Sequence, residues 1–259
     1  MKKLIIALLL VALTLGLCAC GASDTQKPTE EQATQVPSVA RQDFEAASTY
    51  IESLIDTNEM SKTDQDDENG LYRYWTYSGK EANNTFSPEI EIDGKKITLG
   101  ETTVNDLKEL GFECEIDVET VQPNTEQGFI IRKDNKYCNI SVQNTTEKEQ
   151  SIHELAVFQI NVLTDSGFLE FNYGDIKSGS TLEDVIKALG TPKSNITLSG
   201  AESGASIALS YSNIVTDGDL ETISTLDIDL PYQTEKNTAV VTSINLSVSQ
   251  NKIPQETTG

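Results

Sequence analysis

Alternation of apolar and polar residues is the dominant pattern of the chain beyond residue 70, and it predicts β-strands. Residues 90–99 form two alternating arms around Asp93-Gly94, a dipeptide typical of a two-residue hairpin turn, and residues 129–140 do the same around Asp134-Asn135. Further alternating segments lie at residues 112–118, 158–162, 207–209, 226–230 and 244–248. Strands with one apolar and one polar face are typical of an antiparallel sheet that is covered on one side.

Residues 41–70 predict an amphipathic helix followed by an acidic loop. Within residues 42–57 the apolar positions recur in steps of three and four: Phe44, Ala47, Tyr50, Ile51, Leu54 and Ile55. This spacing places them on one helical face, so the helix either packs on the following domain or forms a stalk. In the loop, Asp64, Asp66 and Glu68 imitate the first ligands of an EF-hand. Trp75 stands where the bidentate Glu should be, which favours a solvated loop over a calcium site.

A twelve-residue segment occurs twice, at residues 100–111 and 179–190, and the two copies align without gaps at an offset of 79 residues. The third residue of each copy is an N-cap threonine and the last is a glycine: Thr102 and Gly111 in the first, Thr181 and Gly190 in the second. About two helical turns lie between these signals, and so short a helix must lie on a sheet. The predicted fold class is α+β, with two tandem copies of a short-helix plus antiparallel-sheet unit, preceded by the amphipathic helix.

The second copy resembles known families of binding domains. Residues 176–185 and the following Leu189-Gly190-Thr191-Pro192 look like the pattern of the small lipoproteins of outer-membrane assembly, and they are similar to β-lactamase-inhibitor-protein-like domains. The resemblance implies one or two helices on a four-stranded antiparallel sheet and a role in binding another protein. The first copy departs from the pattern, because Phe112 follows its glycine and no proline follows two places later.

The first 19 residues have the layout of a bacterial secretion signal. Lys2 and Lys3 precede an uncharged run of 14 residues, shorter than the roughly 20 that span a bilayer. The run ends in Leu17-Cys18-Ala19-Cys20, which resembles the bacterial lipobox. Cys20 has aliphatic Leu17 at −3 and small Ala19 at −1, whereas Cys18 would have bulky Leu17 at −1.

We therefore expect residues 1–19 to be removed and Cys20 to carry a diacylglycerol, with palmitate among its acyl chains. A plain secretory signal and an uncleaved anchor are the alternatives. Residues 20–40 are poor in aliphatic residues and predict a disordered tether with a reach on the order of 25 Å. The predicted repeats follow at residues 71–165 and 166–250, and residues 251–259 form a flexible tail.

Composition adds a strong acidic charge. Loss of residues 1–19 removes two of the 19 Lys and Arg residues and none of the 41 acidic residues, which leaves 17 basic residues and a formal charge of −24. Nucleic-acid binding needs clustered Lys and Arg, so the composition disfavours it. Docking on an anionic leaflet is disfavoured for the same reason, and the lipid on Cys20 is the predicted membrane contact.

A catalytic site has weak support in the sequence. His153 is the only histidine, and no second histidine follows it at the spacing of a zinc-protease motif. Asp227 and Asp229 share one face of a predicted strand, as a glycosidase pair would, although chance alternation in an acidic chain explains them better. The chain has no glycine-rich phosphate loop and no metal-spaced cysteine cluster. We expect no enzyme activity, no metal site and no cofactor.

Cys114 and Cys138 are the cysteines that remain in the predicted exported domain. Both fall on inward faces of predicted strands. An exported location permits a disulfide if their Cα atoms lie within about 7 Å. The alternative is two buried thiols that behave as small hydrophobic side chains.

The aromatic residues are concentrated at residues 71–77 and suggest a binding strand. Tyr72 and Tyr74 share one face of that strand, and Trp75 and Tyr77 share the other. Exposed aromatic side chains suit the binding of proteins or glycans. The alternative is that they are half-buried tyrosines of the core.

Together these patterns predict a lipid-anchored, non-catalytic binding module on the outer face of a bacterial cytoplasmic membrane, exposed to the cell wall. The expected partner is another exported or membrane protein. A cell-wall glycan or other carbohydrate is the first alternative ligand, and a cell-envelope hydrolase is the second alternative function. The tether and lipobox resemble those of Gram-positive lipoproteins.

The substitution Cys20→Ala tests the predicted anchor. We expect the variant to incorporate no fatty acid and to leave the membrane fraction, because two or more acyl chains are what makes anchoring stable. Cys18→Ala is the matched control and should retain both label and location. Metabolic labelling with a fatty acid and fractionation of cells measure the two outcomes, and membrane retention of unlabelled Cys20→Ala contradicts the assignment.

Overall fold

The computed structural model describes residues 38–67, 70–79, 84–164, 167–201, 204–218 and 220–252. More than half of these residues lie in strands and fewer than a fifth in α-helices. The described α-helices are α1 (Ser38–Leu54), α2 (Val104–Glu109) and α3 (Leu182–Leu189). The predicted signal segment with Cys20, most of the predicted tether and most of the predicted tail lie outside the described residues.

The strands follow the alternating segments of the sequence, with several additions. In chain order they are β1 (Met60–Asp67), β2 (Gly70–Tyr77), β3 (Glu89–Ile92), β4 (Lys95–Thr98), β5 (Glu113–Glu115), β6 (Thr120–Val121), β7 (Thr125–Lys133), β8 (Lys136–Asn144), β9 (Gln150–Ser151), β10 (Val157–Leu163), β11 (Phe171–Tyr173), β12 (Ile176–Lys177), β13 (Asn195–Ala201), β14 (Gly204–Asp217), β15 (Leu220–Gln233), β16 (Thr238–Ala239) and β17 (Ser243–Lys252). Both predicted hairpin turns are confirmed, and their asparagine and aspartate residues adopt positive φ angles.

A single antiparallel sheet dominates the domain. Ten strands pair in the order β1-β2-β13-β14-β15-β17-β10-β8-β7-β5, and β16 pairs with β15 as the eleventh. The predicted α+β class is therefore wrong, and the described residues are mostly β. The two predicted units are not separate sheets, because Gln159 of β10 pairs with Ser247 of β17 and Leu163 with Ser243. Helices of six and eight residues are small additions to a sheet of this width.

The two halves of this sheet have the same order of elements. The hairpin β3-β4 precedes α2 and the strands β5, β7, β8 and β10, while the hairpin β11-β12 precedes α3 and the strands β13, β14, β15 and β17. The two hairpins pair with each other in a second sheet of order β12-β11-β3-β4. One continuous hydrophobic core contains side chains from both of these sheets and from the three helices.

Both short helices begin with a reciprocal capping box. At α3 the N-cap is Thr181, as predicted: its hydroxyl accepts from the backbone N–H of Asp184, whose carboxylate accepts from the N–H of Thr181. At α2 the cap is Thr103 rather than the predicted Thr102. The side chain of Thr102 instead accepts a backbone hydrogen bond in the preceding turn, so the first copy has one more residue before its helix.

Helix α1 packs on the large sheet and does not form a stalk. Phe44, Ala47 and Ile51 are buried against it, and the helix contacts β13 and β14 most closely. A Cβ atom on Gly200 of β13 would lie 2.8 Å from a ring carbon of Phe44. Glycine at position 200 therefore lets the helix approach the sheet.

The predicted acidic loop after α1 is also wrong, because most of it is the edge strand β1. Asp64 on β1 accepts two hydrogen bonds from Arg73 of β2, at 2.7 and 2.9 Å. The same guanidinium donates to Glu45 and Ser48 of α1, at 2.9 and 2.6 Å, and lies 5.1 Å from the centre of the Phe44 ring. Arg73 thus joins α1, β1 and β2, and its hydrogen bonds lower the pKa of Asp64.

Substitution of Arg73 by methionine tests this junction. We expect Arg73→Met to lower the free energy of unfolding by about 2 kcal/mol, because a charged hydrogen-bond network is lost while its carboxylates stay half exposed. Arg41→Met removes only the exposed pair with Asp66 and should cost about 0.5 kcal/mol or less. The pKa of Asp64 is lower in the folded state, so its contribution is present above pH about 4 and is lost as the pH falls. Denaturant unfolding at several pH values measures the free energy of unfolding of each variant. Equal losses in Arg73→Met and Arg41→Met contradict the proposed junction.

Candidate functional site

The face of the large sheet opposite the core is the candidate site, and we call it the open face. Side chains alternate between the two faces along each strand. On β15, for example, Leu226, Ile228 and Leu230 are buried in the core, whereas Thr225 and Asp227 lie on the open face. In the described residues the helices and the second sheet contribute to the core on the other side.

Small polar side chains form rows across the open face. Register pairing places one row on seven consecutive strands, from β2 to β8: Thr76, Asn195, Ser210, Asp227, Asn245, Asn161 and Asn139. A second row runs beside it: Ser212, Thr225, Ser247, Gln159 and Ser141. Hydroxyl and amide groups therefore cover the region where the two halves of the sheet meet.

The open face is almost free of charge, although the chain is not. On the described residues of these seven strands it has no Lys or Arg, and its carboxylates are Glu221, Asp227 and Asp229. The whole chain has 41 acidic and 19 basic residues. A partner that docks here has few charges to desolvate, and the core of a protein interface is depleted of charge for this reason.

Internal hydrogen bonds orient some of these side chains. Gln159 donates from Nε2 to Oδ1 of Asn245 at 3.0 Å, and the hydroxyls of Thr225 and Ser247 lie 2.6 Å apart. Each bond joins neighbouring strands, including the pair β10 and β17 at the centre. The amide and hydroxyl groups are thus held in place before any ligand binds.

Asp227 is the one carboxylate in the central row, and its surroundings are unfavourable for charge. Burial raises its pKa, and the nearby carboxylate of Asp229 raises it further, while hydrogen bonds from Ser210 and Asn245 act in the opposite direction. Asp229 is exposed and accepts a hydrogen bond from Ser243 at 2.5 Å. The two aspartates predicted on one strand face do lie together on the open face.

The predicted aromatic site is divided between the two faces of β2. Tyr72 and Tyr74 lie half-buried on the open face, with ring centres 6.3 Å apart and planes within 10° of parallel. Trp75 is only 1% exposed and belongs to the core, where its indole N–H has no hydrogen-bond partner among the described residues. Tyr77 lies on the same side of the strand as Trp75. Tyr72 and Tyr74 alone belong to the open face.

Cys114 and Cys138 are free thiols with a strand between them. Cys114 on β5 pairs with Ile131 on β7, and Ile131 pairs with Cys138 on β8. Adjacent strands lie about 4.8 Å apart, so two spacings exceed the roughly 7 Å between Cα atoms that a disulfide tolerates. Burial raises the pKa of both thiols. The geometry favours the alternative of two hydrophobic thiols.

His153 lies away from the open face, next to α2. Its Nδ1 is 3.2 Å from Nζ of Lys108, and its Nε2 is 3.5 Å from a carboxylate oxygen of Glu119. The described residues include no group of three or more His, Cys, Asp or Glu side chains that could hold a metal ion. In the same residues no helix has the length and apolar character needed to cross a bilayer.

The chain matches no protein-family profile, and comparison with curated proteins finds no significant match.

Replacement of Asp227 by asparagine tests the unfavourable charge. Because its pKa is higher in the folded state, ionisation of Asp227 lowers stability as the pH rises above the ordinary carboxylate value near 3.8. We therefore expect Asp227→Asn to raise the melting temperature at pH 7 and to have a smaller effect below pH about 4. The matched variant Asp229→Asn, on the exposed neighbour, should change it less. Calorimetry at both pH values measures the melting temperatures. A lower melting temperature of Asp227→Asn than of wild type at pH 7 contradicts the prediction.

Proposed function

We propose that this chain is a non-catalytic binding module, anchored by lipid on Cys20 to the outer face of a bacterial cytoplasmic membrane, which binds an exported or membrane protein on its open face. The observation that carries the proposal is a surface made mostly of neutral hydroxyl and amide side chains, with few carboxylates, on a strongly acidic chain. The membrane anchor rests on the lipobox pattern alone.

The size of the open face suits a protein partner. Seven strands at about 4.8 Å spacing give a width of about 30 Å, and three to four rows at about 7 Å give a height of about 20 Å. The product, about 600 Å², approaches the roughly 800 Å² that each partner buries in a standard protein interface. Proteins have flat surfaces of this area, whereas small ligands need concave sites.

The composition of the face supports the same conclusion. Antibody binding loops are rich in Tyr, Ser and Asn, because tyrosine supplies rigid contact area and the small polar residues supply adaptable hydrogen bonds. Tyr72 and Tyr74 are adjacent to Ser199 and Thr197 on β13. Beyond β13, the rows of small polar side chains described above continue to the centre of the sheet. The burial of Asp227, at a cost in stability, is consistent with a site kept for binding.

A wall glycan is a second candidate ligand, favoured by one observation. The parallel rings of Tyr72 and Tyr74 lie beside hydroxyl-bearing residues at one end of the open face. Sugar rings offer apolar faces to aromatic rings and hydroxyls to polar side chains, so this end could bind a carbohydrate. Trp75, which the sequence placed in this site, does not contribute because it is buried.

A charge placed on the open face tests the proposed function. We expect Asn161→Arg, at the centre of the face, to abolish capture of a specific protein from envelope extracts, because a buried unpaired charge costs several kcal/mol. Asn105→Arg is the matched control, since Asn105 is exposed on α2 on the other side of the sheet, and it should capture as well as wild type. Affinity purification with mass spectrometry measures the outcome.

The same proteins distinguish the glycan candidate. Saturable binding to purified wall polymer that is lost in Tyr72→Ala/Tyr74→Ala, without a specific protein partner, favours the glycan. Equal capture by Asn161→Arg and Asn105→Arg contradicts binding at the open face.

A further inference from the structure

We propose that a shallow depression at the β5 end of the open face receives a Lys or Arg side chain of the partner protein. The inference rests on the proposed function, because it names the chemistry that one part of the open face selects. The depression has a volume of about 600 Å³ and lies where β5, β7 and β8 are adjacent. Its lining residues used below are Glu115, Ile116, Asp117, Gly128 and Ile130.

Gly128 creates the depression by lacking a side chain. A Cβ atom there would meet only the Ser141 hydroxyl at 3.7 Å and the Ile140 carbonyl oxygen at 3.9 Å, which are ordinary contacts. Gly128 does not have a positive φ angle. Neither space nor backbone conformation therefore requires glycine, and glycine inside a strand costs roughly 0.5–1 kcal/mol relative to alanine. Glycine at this position leaves the space above β7 open.

The short strand β5 bounds the depression on one side. Glu115 is its last residue and pairs with Ile130, so no described strand pairs with β7 on that side at Gly128. The chain continues through Ile116 and Asp117, which line the rim. The equivalent strand of the other half, β13, is seven residues long. The depression thus belongs to only one half of the sheet.

The lining combines apolar contact with an available negative charge. Ile116 and Ile130 are partly exposed and offer contact to an aliphatic stem. Glu115 is already paired with Arg132, whereas exposed Asp117 makes no ion pair with the described residues. Exposed Glu126 lies two residues before Gly128 on the same strand face.

Long basic side chains match this combination. Lys and Arg bury an aliphatic stem on apolar surface and keep the charged group at the rim. An acidic side chain would be repelled by Asp117, and a purely apolar one would desolvate that carboxylate without a partner. The formal charge of −24 that is left after loss of residues 1–19 would also attract a basic surface during encounter.

Methyl NMR of the full-length protein in detergent tests the depression directly. With ¹³C-labelled isoleucine δ1 methyls, Ile116 and Ile130 report on the depression, and buried Ile92 and Ile97 serve as internal references. The probes are acetyl-Gly-Lys-Gly-amide and its norleucine and glutamate analogues. We expect the lysine peptide to shift the Ile116 and Ile130 signals saturably and the two analogues to bind about tenfold more weakly or not at all.

Variants assign the effect to the depression. Gly128→Val should fill it and weaken lysine-peptide binding about tenfold or more, while Asp117→Asn should weaken it about threefold. Ala208→Val, on the open face of β14, is the matched control and should bind like wild type. Equal shifts with all three peptides, or wild-type binding by folded Gly128→Val, overturn the inference. If Gly128→Val does not fold, the surface variant Asp117→Lys is used in its place. Lysine-peptide binding by Asp117→Lys at the wild-type affinity overturns the inference.

Capture experiments separate this inference from the proposed function. Loss of a specific partner in Asn161→Arg, with capture retained in both Gly128→Val and Asp117→Lys, supports the open face and overturns the basic-side-chain site. Failure of wild type to capture any protein overturns the proposed function itself.

Discussion

The pairing of β10 with β17 is the interaction on which the rest of the structure depends. These are the last strands of two similar runs of elements, and their ladder, from Gln159–Ser247 to Leu163–Ser243, makes two four-stranded halves continuous. It aligns the register on both sides, so that amide and hydroxyl positions from distant parts of the chain fall in common rows. Without this ladder each half would have an unpaired edge where the open face now has its centre.

The open face also shows how strongly the chain separates charge. Among the described residues, most acidic side chains lie off the open face, and the middle of the sheet has mostly neutral polar groups. Neutral side chains of small size pack side by side on neighbouring strands without repulsion, which a row of carboxylates would not permit. The same feature that allows a wide sheet in a very acidic chain therefore produces a surface suited to contact.

Local patterns in the sequence predicted the local elements well. The two-residue turns at Asp93-Gly94 and Asp134-Asn135 predicted the hairpins, and the N-cap threonine Thr181 predicted the start of α3. The class failed because alternation describes single strands and does not say which strands pair. Strand β1 was missed since polar residues such as Asp64 and Gln65 are held there by β2 and Arg73, not by a hydrophobic pattern.

The candidate site was predicted only in part for a related reason. The cluster of aromatic residues in the sequence identified β2 as a candidate binding strand. Which face of β2 is open depends on the position of α1, which covers the face with Trp75 and leaves Tyr72 and Tyr74 on the open face. Asn245 and Asn161 become neighbours only after the two halves join, whereas Asn161 and Asn139 lie on adjacent strands of the same half. Their signal in the sequence is the recurrence of neutral polar residues between the apolar positions of successive strands.

The charged edge strand β1 has a consequence for molecules at high density. An outermost strand with free backbone groups can add to the sheet of a neighbouring molecule, and such addition repeated from copy to copy yields aggregates. On β1 the exposed side chains include Lys62, Asp64 and Asp66, fixed by ion pairs to α1 and β2. Strand β1 contains three aspartates and one lysine, so two such edges brought together would repel each other through their net negative charge. Strand addition at the β1 edge is thus disfavoured among crowded copies of this domain.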